Sequence, residues 1–276
     1  MTPNQAQKLF EEMFQKANQE LITFTLSTEL KIEQKADKTF VTACDEKIDK
    51  VVSQLARDAG LKIVSEEGDK SLQTVRDGNY ITIDPIDGTL AYLEYVNYAL
   101  NHGGIENFLN FDLGFSWDFC ILLGLVENGE AMFGGVFNYV TKESFFIDAL
   151  NNKIIRTGLK RNFEATKAIF VDQRFGGSLE TLLKQDQNAK VIILSSFGLR
   201  ALYACMDFEE AVALHRVQST GLWDILPAAA MNARIYDEKG DELDLTSYIS
   251  LPGKGALVLK GTNFDYILEE LKKENI

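Results

Sequence analysis

Ile83-Asp84-Pro85-Ile86-Asp87-Gly88-Thr89 is the stretch on which the reading of this chain turns. Two aspartates three residues apart flank a proline, after the strand-like run Tyr80–Ile83 and before a segment suited to a helix. Pro85 fixes φ and removes a backbone donor, which stiffens the chain after Asp84. Gly88 lets the backbone come close to a ligand. A helix opening near Thr89 would aim its free amides at the same place as the two carboxylates. Oxygen ligands for a hard cation and a helix N-terminus for a phosphate would then coincide. The string also suits a plain surface turn, which uses the same residue types. The neighbouring stretches bear on that choice.

Upstream, the run Leu61–Ser65 reads as a strand ending in Glu66-Glu67. Two such strands would deliver acids to one sheet edge, where like charges repel unless a cation neutralises them; an ordinary charged turn is the plainer reading. Downstream, Trp223-Asp224 opens a helical segment with Ile225, Ala228, Ala229 and Ala230. Asp224 there suits an N-cap as well as a ligand, and Pro227 is read as lying in the first turn. Thr2-Pro3 starts an amphipathic helix carrying Leu9, Phe10, Met13, Phe14 and Ala17 at helical spacing. Residues 35–41 read as a turn or hairpin tip. Thr42 caps a second helix with Ile48, Val51, Val52 and Leu55 inward, and Gly60 stops it. Residues 119–148 alternate apolar runs with turn signals, the mark of an antiparallel meander.

After about residue 150 the rhythm changes to strands near 168–171, 191–194, 210–217 and 255–260, alternating with helices near 177–186, 199–206, 224–233 and 264–273. The fold class is mixed, α+β passing into α/β, with two tightly joined subdomains, 1–150 and 151–276.

Composition excludes several functions. Acidic residues outnumber basic ones 41 to 28, giving a net charge of −13, a field that repels nucleic acid and anionic membrane surfaces. The longest apolar run, Phe119 to Val126, is far too short to span a bilayer. The N-terminus is polar and does not read as a signal peptide. Cys44, Cys120 and Cys205 form neither a zinc pattern nor a disulfide framework, so they read as small buried apolar residues in a reducing, cytoplasmic setting. His102 and His215 read as surface or satisfied core residues.

Glu66-Glu67, Asp84-Pro85-Ile86-Asp87-Gly88-Thr89 and Trp223-Asp224, in that order, resemble the inositol monophosphatase family of lithium-sensitive, Mg²⁺-dependent phosphatases. Val41-Thr42 with Asp45 is similar to a further upstream element of that family. The resemblance implies a layered αβαβα sandwich, a phosphate ester substrate, two or three Mg²⁺ ions, and a homodimer. It implies metal ligands at Glu66, Glu67, Asp84, the Ile86 carbonyl, Asp87 and Asp224, with Asp84 shared between two ions. It implies catalytic roles for Glu66, Thr89 and Asp45 in handling the attacking water, and phosphate contacts at Gly88 and Thr89.

The substrate end departs from the family. Where inositol-specific members carry Glu seven residues before the metal-binding Asp, this chain has Val217, preceded by Arg216, a feature that resembles the nucleotidase branch. Gly198 matches the family, and Arg200 with Arg216 is read as a basic lip for a second anionic group. About 28 residues (90–117) follow the aspartate motif, to be read as an extended helix with a lid, a subunit interface or a surface elaboration. Three functions stay open: a sugar- or inositol-phosphate phosphomonoesterase, a 3′-phosphoadenosine 5′-phosphate phosphatase, and a non-catalytic binding homologue.

Overall fold

The computed structural model describes residues 1–27, 32–34, 40–68, 78–104, 117–158, 163–172, 188–215, 219–231, 233–237, 241–243, 250–252, 256–260 and 266. Helix α1 (Pro3–Leu26) opens as its sequence dictates, with Thr2 as cap, Pro3 in the first turn and Gln5 closing a capping box. The hairpin of β1 (Ile32–Gln34) and β2 (Phe40–Thr42) leads into α2 (Ala43–Asp58), which starts on a second box made by Thr42 and Asp45. Gly60, at φ +76°, ends it. The amides of Gly60 and Leu61 return to the carbonyls of Arg57 and Ala56 at 2.9 and 3.0 Å, a Schellman stop.

The first sheet comprises β3 (Lys62–Ser65) and β4 (Asn79–Asp87), then, after helix α3 (Thr89–His102), β5 (Cys120–Glu127), β6 (Glu130–Asn138), β7 (Ser144–Asp148) and β8 (Lys153–Thr157). Its spatial order follows the chain; β3 runs parallel to β4 and the later neighbours pair antiparallel. The expected meander is this part of the sheet. The second half supplies β9 (Lys167–Val171), β10 (Lys190–Ile193), α4 (Phe197–Asp207), β11 (Glu210–His215), β12 (Ser219–Gly221), α5 (Leu222–Ala229), β13 (Arg234–Asp237), β14 (Ser250–Pro252) and β15 (Ala256–Lys260). A five-stranded sheet runs in the order β10-β9-β11-β15-β13, and β12 pairs with β14.

The run 119–126 is apolar at nearly every position because both faces of β5 are covered. Ile121, Leu123 and Leu125 pack with Phe10, Ile48 and Val52, whereas Cys120, Leu122 and Val126 pack with Phe197, Leu202 and Leu226. Helices α4 and α5 therefore lie between the two sheets, giving helix, sheet, helix, sheet in sequence. The helices expected at 177–186 and 264–273, which would supply a fifth layer, fall outside the described residues, Tyr266 apart. Among the described residues no helix is long and apolar enough to cross a membrane.

Two local readings need correction. Strand β4 does not stop at Ile83 but carries on through the aspartate motif to Asp87. Helix α5 spans Leu222–Ala229 rather than 224–233, so Pro227 sits past the first turn. Pro227 and Leu226 pack against glycines of the sheet: a Cβ at Gly134 would lie 3.0 Å from Pro227 Cα, and one at Gly124 would lie 2.9 Å from Leu226 Cβ. Those two glycines let α5 settle directly on β5 and β6.

Candidate active site

Side chains alternate along a strand, so residues 84 and 87 should point to opposite faces of the sheet. They do not. Asp84 pairs with Leu122 and Asp87 with Cys120, so β4 carries one more residue than β5 across this interval. That is a β-bulge, and it resets the alternation. Leu122 and Cys120 both face the α4–α5 layer, and Ile86 is sent to the opposite core with Ile83. Pro85, which has no amide to contribute to a ladder, sits within the bulge. Its carbonyl accepts from Tyr139 Oη at 2.9 Å, and the Ile86 amide donates to Asp84 Oδ1 at 3.0 Å.

Asp224, from the first turn of α5, meets the pair. Ligand oxygens of Asp84, Asp87 and Asp224 all lie within 4.8 Å of one another. The three residues are only 2%, 9% and 8% exposed. Burial pushes the Asp84 carboxyl well above its ordinary range, and Glu66, Asp87, Asp224 and Asp45 add like-charge repulsion. Asp87 is raised as well, chiefly by burial; hydrogen bonds from Ser196, Gly198 and Phe197 and the positive charge of Arg200 oppose the rise.

Glu66 lies where the paired strands predict. Its amide donates to the Ile83 carbonyl at 3.0 Å, and it is half-buried beside Asp84. Glu67, also half-buried, donates its amide to Ser65 Oγ at 3.2 Å and acts by charge on Asp45. Neither glutamate belongs to the tight cluster.

Helix α3 begins at Thr89, as the motif predicts, after Gly88 at φ +94°. A left-handed residue there must also approach Phe119 closely, since a Cβ would lie 3.2 Å from Phe119 Cβ. The helix has no side-chain cap, which leaves its first amides open beside the acids. Thr89 Oγ1 donates to the Ile86 carbonyl at 3.0 Å and lies 3.5 Å from Asp45 Oδ1. Asp45 is buried in its capping box, where its Oδ2 accepts from the Thr42 amide at 2.9 Å and from the Thr42 hydroxyl. Burial raises its carboxyl to about 7, against the Thr42 bond and with help from Glu67 and Glu66.

The residues expected to touch substrate fare differently. Gly198 is at the site: its amide donates to Asp87 Oδ2 at 2.6 Å. Arg200 forms no surface lip. It is fully buried, and its guanidinium donates to the carbonyls of Leu194 at 2.6 Å and Ser195 at 3.2 Å. Helix α4 lies between two sheets and buries every residue from Phe197 to Cys205, so no position in that run could reach solvent. Arg216 falls outside the described residues, as do 105–116 of the 90–117 segment; Thr89–His102 of it is helix. His102 is exposed and stacks on Tyr98, and all three cysteines are free and buried. The residue that the sequence reading missed is Ser196, whose hydroxyl donates to Asp87 Oδ2 at 2.6 Å. Its signal was available: a serine just before a helical apolar run is an N-cap signature.

The sequence profile of the inositol monophosphatase family matches residues 5–225, a span that takes in every acid of this site. The chain belongs to the inositol monophosphatase family. Family membership makes it a phosphoric monoester hydrolase. Solved structures agree on the fold. An inositol monophosphatase from Thermotoga maritima is 19% identical with a TM-score of 0.66, covering 99% of this chain and 98% of that one. Staphylococcal inositol monophosphatase-1, in a lithium chloride-soaked inhibitory complex, is 17% identical with a TM-score of 0.68, covering 98% and 95%. An inositol monophosphatase/NADP phosphatase complexed with NADP and Ca²⁺ is 17% identical with a TM-score of 0.69, again covering 98% and 95%. No curated protein sequence matches the chain.

Proposed function

We propose that this protein is a Mg²⁺-dependent phosphomonoesterase that hydrolyses a small phosphorylated metabolite, an inositol monophosphate or a sugar phosphate. The observation that carries the proposal is the buried triad Asp84, Asp87 and Asp224, with ligand oxygens within 4.8 Å of one another. Withdrawing three carboxylates from water into one another's fields is costly unless protons or a cation neutralise them. An all-oxygen donor set suits a hard divalent ion. The triad and Glu66 would hold Mg²⁺, with the Ile86 carbonyl and Glu67 as further donors.

When bound, Mg²⁺ supplies Lewis-acid polarisation of the phosphoryl group and the charge that offsets the carboxylates. The chain does the rest. The open first-turn amides of α3 bind phosphate oxygens beside the acids. Thr89 Oγ1 orients the attacking water. Asp45, whose Oδ1 lies 3.5 Å from that hydroxyl, takes the proton of the water. The N-terminal half, 1–150, provides this machinery, and 151–276 brings Asp224 and the wall formed by α4.

A second reading, a nucleotide phosphatase, draws support from the similar structure that holds NADP. Phosphate release from inositol monophosphate, fructose-1,6-bisphosphate and 3′-phosphoadenosine 5′-phosphate, ranked by kcat/KM, decides between them. The expected result is release that needs Mg²⁺, stops with EDTA, and is fastest on a monoester of inositol or a sugar. Failure to release phosphate from any of the three with Mg²⁺ present would overturn the proposal.

A further inference from the structure

Asp87 belongs to the first half of the chain, yet its carboxylate is held by the second. Oδ2 accepts from Ser196 Oγ and from the Gly198 amide, both at 2.6 Å, and Oδ1 accepts from the Phe197 amide at 3.3 Å. The approach needs a glycine at 198, where a Cβ would lie 2.5 Å from both methyl carbons of Leu122.

Ser196 is fully buried, and its hydroxyl has little freedom. A hydroxyl has one proton and two lone pairs. The Leu199 amide donates to Ser196 Oγ at 3.0 Å, the usual N-cap bond. Cys120 Sγ lies 3.3 Å away. The Cys120 thiol also reaches Asp87 Oδ2, to which it donates weakly at 4.0 Å. The serine proton goes to Asp87 Oδ2, the shortest contact the hydroxyl makes. That oxygen already takes two short bonds, whereas Oδ1 takes one long one and keeps room for an ion.

We propose that Ser196 is a positioning residue: together with the Gly198 amide it occupies Asp87 Oδ2, fixes the carboxylate, and presents Oδ1 to the cation shared with Asp84 and Asp224. The inference rests on Asp87 being a metal ligand. It also makes cation binding depend on the first turn of α4 staying docked against β4, and so links ion uptake to the contact between the two sheets' layers.

The test is calorimetric titration of Mg²⁺ into the ion-free parent protein and into Ser196→Ala, Ser196→Gly and Ser196→Thr, with melting curves in EDTA as a control for folding. Glycine is nearly as good a helix cap as serine but has no hydroxyl, so it separates the two roles of this residue. Losing a residue that orients a ligand typically costs metal affinity about 10- to 100-fold. The expected result is weakening by about 10-fold or more in both the Ala and Gly variants, with threonine restoring affinity close to the parent's. Mg²⁺ binding within two-fold of the parent in folded Ala and Gly variants would overturn the positioning role alone. Absence of Mg²⁺ uptake by the parent itself would overturn the ligand reading of Asp87, and this inference with it.

Discussion

Asp84, Asp87 and Asp224 on one side, and Glu143 and Asp207 on the other, are two groups of acids largely withdrawn from water in the same chain. At the second group the chain supplies its own cation. Arg156 donates through Nε to Glu143 and through a terminal nitrogen to Asp207 at 2.7 Å, and Tyr203 Oη donates to the other Glu143 oxygen at 2.8 Å. The guanidinium also lies over the rings of Phe145 and Tyr203. At the first group, the neighbours that raise the Asp84 carboxyl, burial apart, are four more acids. One cluster is a strut joining the turn before β7, β8 and α4, with its counter-charge supplied by the chain itself. The other is a set of like charges whose stable form needs something from outside.

The sharpest way to break this comparison is Asp84→Asn. The amide oxygen can still accept from the Ile86 amide, so the bulge keeps its shape while the charge goes. Mg²⁺-dependent turnover should fall by about 10²- to 10³-fold, the scale of losing one electrostatic stabiliser of the transition state, here the ion that Asp84 helps to hold, with an unchanged circular dichroism spectrum. Near-normal phosphate release would refute the distinction. Arg156→Met attacks the other cluster. It leaves Glu143 buried without its cation, which typically costs about 3–5 kcal/mol. Denaturant unfolding should report that loss, and Mg²⁺ should not restore it; a loss under 1 kcal/mol would show the strut to be ornamental.

A smaller effect comes from pH. Asp45 is raised to about 7 in the folded chain against about 4 when unfolded. A carboxyl raised by folding favours the folded state fully below its unfolded value, and that contribution is lost as pH climbs to the folded one. Asp84 and Asp87 act in the same direction. The ion-free protein should therefore melt lower at pH 8 than at pH 5, with a slope of up to about 1.4 kcal/mol per pH unit for each such proton. Added Mg²⁺ should raise the melting temperature more at pH 8. Melting curves in EDTA that are flat or rise between pH 5 and 8 would contradict the shared origin of these shifts.

What could be read from the chain, and what could not, divides along physical lines. Local chemistry was legible: the caps at Thr2 and Thr42, the stop at Gly60, and the start of α3 after Gly88 all follow from neighbouring residues. The acids were legible because of their ordered resemblance to a family, and Asp224 depended on that most, since an aspartate opening a helix is commonly a cap. Facts decided by packing were not legible. Arg200 taken alone reads as a surface charge, whereas its helix is buried all round from Phe197 to Cys205. The seating of α5 on Gly124 and Gly134, and the cross-chain hold of Ser196 on Asp87, depend on partners more than 60 residues away in sequence.

The bulge between Asp84 and Asp87 has an evolutionary corollary. The motif's spacing works as a length code as much as a chemical one. Removing a single residue from Pro85-Ile86 would restore regular pairing, improve the ladder by ordinary measures, and displace everything beyond it along the strand. Such a deletion would yield a tidier sheet with its hydrolytic apparatus dismantled, so natural variation here should tolerate changes of side chain far more readily than changes of length.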